Sequence, residues 1–201
     1  MFSPLSVRTA LFVPVLSLLL SNCAIPLASS IQEALQQGGY IIYFRHVSTE
    51  VDYADQVTAV MGDCSTQRVL SEADWQQAKM IGAAFRALEI PYDTVISSEY
   101  CRAWQTADLA FDMYTKNSAL NFFPAEEYTS AQVTQMKDAV MPLLVQVPHA
   151  GMNTIIVGHG DVFESATGVY PEPQGVAYIL KPDGINFTIV GSVLPDQWLM
   201  Y

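Results

Sequence analysis

Along the chain, short apolar runs alternate with longer stretches in which apolar positions recur every three or four residues. That alternation of strand and helix patterns predicts an α/β domain with a mostly parallel sheet. Residues 40–44 are apolar at every position, as expected of a strand covered on both faces. Residues 94–96 and 154–157 are further short runs of the same kind. Residues 176–180 and 187–190 flank Pro182-Asp183-Gly184, a turn signature that predicts a terminal hairpin.

The clearest helix is expected over 71–88. Ala78, Ile81, Ala84, Phe85 and Leu88 recur there at helical spacing. Ser71 can cap it with Asp74 three residues on, and Pro91 lies just past its end. Further helices are expected over 31–37, stopped by Gly38-Gly39, over 102–114, and over 130–146, where Pro142 should bend or shorten the helix. A short strand is expected over 121–123. Residues 47–69 read as a long irregular stretch.

The first thirty residues have a different grammar. Residues 1–8 carry one positive charge, Arg8, residues 9–20 are mostly apolar, and residues 21–30 are mostly small. A charged start, a short apolar run and a small-residue exit predict an export signal. The run is shorter than the roughly 20 apolar residues needed to cross a bilayer. The organisation expected is therefore an export signal over 1–30 and one domain over 31–201, with the mature protein periplasmic or extracellular. Leu20-Ser21-Asn22-Cys23 also resembles a lipoprotein site. Lipidation of Cys23, or an uncleaved signal, would anchor the protein to a membrane.

Charge narrows the possible partners. The formal net charge is −11, with only nine lysines and arginines, too few for the basic face that duplex nucleic acid requires. An acidic surface gives no long-range attraction to anions, so a phosphate site would need a local concentration of positive charge. Three cysteines occur: Cys23, Cys64 and Cys101. With Cys23 in the export segment, Cys64 and Cys101 remain, and in an oxidising compartment such a pair is expected to bridge. No cysteine spacing resembles a zinc site, so a metal cluster finds no support.

Three strand ends carry the candidate chemistry. The run 40–44 leads into Arg45-His46, the run 94–96 into Ser97-Ser98-Glu99-Tyr100-Cys101-Arg102, and the run 154–157 into Gly158-His159. Ligands of open α/β sheets bind outside the carboxyl ends of the strands. Were these strands parallel neighbours, two guanidiniums and two imidazoles would converge. Guanidiniums hold phosphate oxygens in bidentate fashion, and a neutral imidazole can act as nucleophile.

These motifs, together with Gln67-Arg68-Val69-Leu70-Ser71 before a helix and Gln174-Gly175 before the hairpin, resemble the histidine phosphatase superfamily, also called phosphoglycerate mutase-like. The resemblance covers most of the chain after the signal. It implies a three-layer α/β/α sandwich with a mostly parallel central sheet, no metal and no organic cofactor. It implies a phosphatase acting on a small-molecule phosphate ester, with His46 transiently phosphorylated, Arg45 and Arg102 holding phosphate oxygens, and His159 completing the pocket. Many members protonate the leaving oxygen with a carboxylic acid. Here Glu126 and Glu127 follow 121–123, where one branch carries its acid, and Glu127 is the candidate taken as catalytic; the alternatives are Asp161, or no donor at all, as in branches that lack one. Arg68 either reaches the phosphate or pairs within the 47–69 stretch. Where the family has Gly or Ala after the first histidine this chain has Val47, which is expected to narrow the pocket mouth. A Cys64–Cys101 bridge would pin the stretch after His46 beside the pocket. His149 matches no motif and is expected on the surface. Two other readings stand beside this one: a catalytically silent phosphate-binding exported protein, and a phosphomutase.

Overall fold

The computed structural model describes residues 27–50, 59–125 and 127–200. The segment before Leu27, with Cys23, and Glu126 lie outside the described residues. The strands are β1 (Ile41–Arg45), β2 (Tyr92–Ser97), β3 (Thr115–Lys116), β4 (Asn153–Gly158), β5 (Ala177–Pro182) and β6 (Phe187–Val193). They form one sheet in the order β3-β2-β4-β1-β5-β6. β1 and β2 each pair with β4 in parallel, and β3 extends β2 in parallel. β5 runs antiparallel to β1, and β6 closes the expected hairpin against β5.

Side chains alternate across a strand, and β1 uses both of its faces. Ile42 and Phe44 pack with Ile155 and Val157 of β4 against α1 (Leu27–Gln37), α2 (Glu72–Ala87) and α3 (Cys101–Phe111), through Leu35, Ile81, Phe85, Ala103 and Ala107. Ile41 and Tyr43 turn to the opposite face with Ile156. There they meet α4 (Ser130–Val145) and α5 (Gly160–Thr167) through Met136, Val140, Leu144, Val162 and Phe163. The result is the three-layer α/β/α sandwich. Asn153 is completely buried at the start of β4. Its Oδ1 accepts the Tyr40 N–H, and its Nδ2 donates to the carbonyls of Leu35 and Pro91, tying the approaches to β1 and β2 to β4.

Local signals decide the helix ends. Ser71 and Asp74 form the expected capping box at α2. Helix α4 begins with a second box, Thr129 with Gln132, that the sequence reading did not single out. α4 is not cut short at Pro142. The buried stripe Met136, Val140, Leu144 carries it past the proline. Asp138, whose carbonyl loses its N–H partner to the proline ring, lies on the exposed side.

The expectation for 121–123 needs correcting. No strand forms there; the sheet edge is instead the two-residue β3, followed by a 3-10 turn at Ser118–Leu120. Phe122 is buried because its ring stacks on Tyr100, with centroids 4.2 Å apart, so its burial reflects a ring contact rather than strand pairing. Helix α1 starts at Leu27, within the stretch assigned to the export signal. Cys64 and Cys101 are bridged, with a Cα–Cα distance of 5.7 Å. The bridge ties the end of the long stretch after β1 to the first residue of α3.

Candidate active site

The parallel pairing of β1, β4 and β2 brings their carboxyl ends side by side, and all three motifs meet there. A cleft of about 150 Å³ is lined by Arg45, His46, Arg68, Arg102, His159 and Asp161, with Phe122, Tyr128, Tyr170 and Gln174 completing the wall. Arg68 thus reaches the cleft.

His46 follows β1 directly and is buried. Its Nδ1 lies 2.7 Å from the Val47 carbonyl, and Arg102 donates from Nε to His46 Nε2 at 3.1 Å. A carbonyl can only accept and a guanidinium can only donate. The two contacts together assign the tautomer: the proton sits on Nδ1, and Nε2 carries the lone pair. Burial first, and then the Arg102 charge, hold the imidazole well below its ordinary pKa. His46 is therefore neutral, with its nucleophilic nitrogen turned towards Arg102.

Arg102 is itself buried in the first turn of α3, its guanidinium 5.2 Å from the ring centroids of both Tyr100 and Phe122. These aromatic faces attract a cation and fix its approach to His46. Arg45 is anchored on the other side. Its Nη1 donates to the Pro171 carbonyl at 2.9 Å and pairs with Glu172 at 2.8 Å, while its guanidinium lies 4.9 Å from the centre of the Tyr170 ring.

His159 follows β4 directly and is the residue preceding α5. Its ring stands edge-on to His46 at 5.3 Å between centroids. Burial, followed by Arg102, lowers its pKa well below the ordinary value. Tyr43 of β1 clamps its backbone: the hydroxyl donates to the His159 carbonyl at 2.9 Å and accepts the His159 N–H at 3.1 Å. Gly158 is required beside this clamp, because a Cβ there would collide with the Tyr43 hydroxyl.

The carboxylates separate clearly. Glu127 is exposed and is not among the residues lining the cleft. The chain turns there towards the α4 cap, and its neighbour Tyr128 faces the cleft instead. Asp161, in the first turn of α5, does line the cleft, and burial raises its pKa despite the opposing pull of Arg45 and Arg102. Val47 does not narrow the mouth. It is completely buried in the core beneath the sheet, and its N–H is held by Thr106 Oγ1. His149 is exposed as expected and pairs with Asp93. Among the described residues, no group of three or more His, Cys, Asp or Glu is placed to hold a metal ion.

Sequence reading missed Tyr43, Tyr128 and Tyr170. Only Tyr43 left a trace, as a hydroxyl carried within the apolar run before Arg45. The other two come from loops whose paths no local pattern encodes.

No protein-family model and no curated protein matches the chain. Solved structures do. The protein histidine phosphatase SixA in complex with tungstate superposes with a TM-score of 0.56 at 13% identity, covering 78% of this chain and 97% of that one. A candidate alpha-ribazole-5'-P phosphatase from Escherichia coli superposes with a TM-score of 0.59 at 14% identity, covering 79% and 98%. The chain has the histidine phosphatase fold. The structure of the open reading frame Rv3214 from Mycobacterium tuberculosis also superposes, with a TM-score of 0.55 at 16% identity, covering 76% of this chain and 96% of that one. In the histidine phosphatase fold of this chain, the cleft lies at the carboxyl ends of β1, β4 and β2.

Proposed function

We propose that the protein is an exported histidine phosphatase that hydrolyses small-molecule phosphate monoesters through a phosphohistidine at His46. The observation that carries this reading is the state of His46: neutral, with its Nδ1 proton held by the Val47 carbonyl and its Nε2 lone pair beside Arg102. That is the form in which an imidazole attacks phosphorus.

The phosphoryl group enters between the imidazoles and replaces the bond from Arg102 to His46 Nε2. Arg102, Arg45 and Arg68 then neutralise its oxygens, which stabilises a transition state whose charge is spread over them. Nε2 forms the P–N bond as the ester P–O bond breaks, and the leaving oxygen takes the proton of Asp161. A water molecule then attacks the phosphohistidine, gives its proton to the Asp161 carboxylate, and releases inorganic phosphate as the P–N bond breaks. His46 and protonated Asp161 are regenerated. Assigning the acid to Asp161 rather than Glu127 follows from its place in the cleft and its raised pKa. Tungstate, held by one of the structural relatives, is a tetrahedral oxyanion of the kind this cleft would receive. Export is supported by the apolar run over 9–20 and by the Cys64–Cys101 bridge, which suits an oxidising compartment.

The test is hydrolysis of a generic chromogenic phosphate ester by the mature protein. Turnover should be lost in His46→Ala; equal turnover by that variant would refute the assignment.

A further inference from the structure

His159 lies at the end of a hydrogen-bond chain. Its Nε2 is 2.9 Å from Ser98 Oγ. Ser98 Oγ donates to Asn121 Oδ1 at 2.7 Å, and Asn121 Oδ1 also accepts the Glu99 N–H at 3.0 Å. Asn121 Nδ2 donates to Glu99 Oε2 at 2.7 Å.

Each direction in this chain follows from the next. The Glu99 carboxylate only accepts, so the amide nitrogen of Asn121 must face it. That leaves Asn121 Oδ1 to accept from Ser98 and from the Glu99 N–H. Ser98 has one proton, which goes to Asn121, so its oxygen must accept from His159. The Tyr100 N–H donates to the same oxygen at 3.2 Å, consistent with an oxygen acting as acceptor there. The proton on His159 therefore sits on Nε2. Its Nδ1 is buried and makes no hydrogen bond, an uncommon condition for a buried polar atom.

We propose that Glu99, Asn121 and Ser98 are positioning residues that lock His159 as the Nε2–H tautomer and reserve its Nδ1 for the phosphoryl group. The inference rests on the phosphatase reading for its purpose, although the tautomer itself does not depend on it. A phosphoryl oxygen can meet Nδ1 only if that nitrogen acquires a proton. A substrate that arrives as the monoanion can bring one, sharing it between oxygen and nitrogen. The groups around the ring that bear on this proton are Arg102 of α3, His46 after β1 and Arg45, with the Tyr100 ring edge-on at 5.1 Å, the Tyr43 hydroxyl on its backbone and Asp161 of α5 in the same cleft. Glu99 acts on the ring only through the amide and the hydroxyl. It lies 22 residues from Asn121 in sequence, so the fold rather than local structure assembles the chain.

The experiment reads the tautomer and the turnover separately. Long-range ¹⁵N–¹H spectra of the imidazoles in the mature protein at neutral pH should show His159 protonated on Nε2 alone. In Ser98→Ala that single form should be lost, and kcat/KM on a chromogenic phosphate ester should fall about tenfold to a hundredfold, the scale of a misplaced catalytic group. Asn121→Asp sets two carboxylates against each other and should fall comparably. The double variant Glu99→Gln/Asn121→Asp reverses donor and acceptor across that contact and should recover to within about threefold of wild type, on the same argument of restored geometry. A wild-type spectrum with the proton on Nδ1 overturns the proposal, and so does Ser98→Ala with an unchanged spectrum and unchanged turnover. If the wild type hydrolyses no ester at all, the phosphatase reading fails, while the spectra of wild type and Ser98→Ala still decide the tautomer lock.

Discussion

Replacing Tyr43 by Phe removes one oxygen atom from the clamp on His159, and the structure sets the size of the effect. The hydroxyl is buried, and burial raises its pKa, so it remains a proton donor across any working pH. It makes two hydrogen bonds, to the carbonyl and from the N–H of His159. These losses are unequal. The carbonyl also accepts the Phe163 N–H at 3.2 Å in the first turn of α5, so it keeps a partner. The His159 N–H is left buried with no acceptor, which costs about 1–3 kcal/mol. The vacated space beside Gly158 adds a smaller packing loss. Together they give an expected destabilisation of about 2–3 kcal/mol. Urea unfolding of the oxidised protein should show a lower midpoint with an unchanged slope. Because the clamp also sets where β4 delivers His159, kcat/KM should fall about tenfold or more. A stability change below about 0.5 kcal/mol, the range of ordinary surface substitutions, together with unaltered turnover, would refute this reasoning.

Two further outcomes follow from the same geometry. Reducing the Cys64–Cys101 bridge with a dithiol should destabilise the protein by about 2–4 kcal/mol and lower activity, because Gln67, three residues after Cys64, holds the Cys101 N–H through its Oε1 and Arg68 follows it into the cleft; full activity and stability with two titratable thiols would contradict this. Burial raises the pKa of Asp161, so its acid form persists to higher pH than that of an ordinary carboxyl, and activity should decline as pH rises through that folded value. Asp161→Asn should remove this dependence and slow esters with poor leaving groups most; an unchanged profile of kcat/KM against pH would exclude Asp161 as the acid.

Much of this was legible in the sequence where one residue pattern maps onto one local structure. The all-apolar run before Arg45 marked a strand covered on both faces. The Ser71–Asp74 spacing marked the α2 cap, and Pro182-Asp183-Gly184 marked the hairpin. Arg45 ends β1, His46 and His159 directly follow β1 and β4, and Arg102 lies in the first turn of the helix after β2, so a parallel sheet was enough to gather them. The failures come where tertiary contact decides. Phe122 and Phe123 resemble a strand, but Phe122 is buried by stacking on Tyr100. Val47 resembles a residue at the pocket mouth, but the chain turns it into the core. Pro142 carries a breaker signal that the stripe around Val140 and Leu144 overrides. Glu127 was favoured over Asp161 by position along the chain, whereas cleft lining depends on the path between Phe122 and Thr129. The chain from Glu99 through Asn121 and Ser98 joins residues whose separation in sequence carries no signal.

The central claim is that His46 Nε2 carries the phosphoryl group between substrate and water. Rapid quenching of the mature protein during turnover of a ³²P-labelled ester should trap an acid-labile, base-stable phosphoryl group, and peptide mapping should place it on His46. Turnover that proceeds with no protein-bound phosphate on the quench timescale, or with label on another residue, would contradict the account.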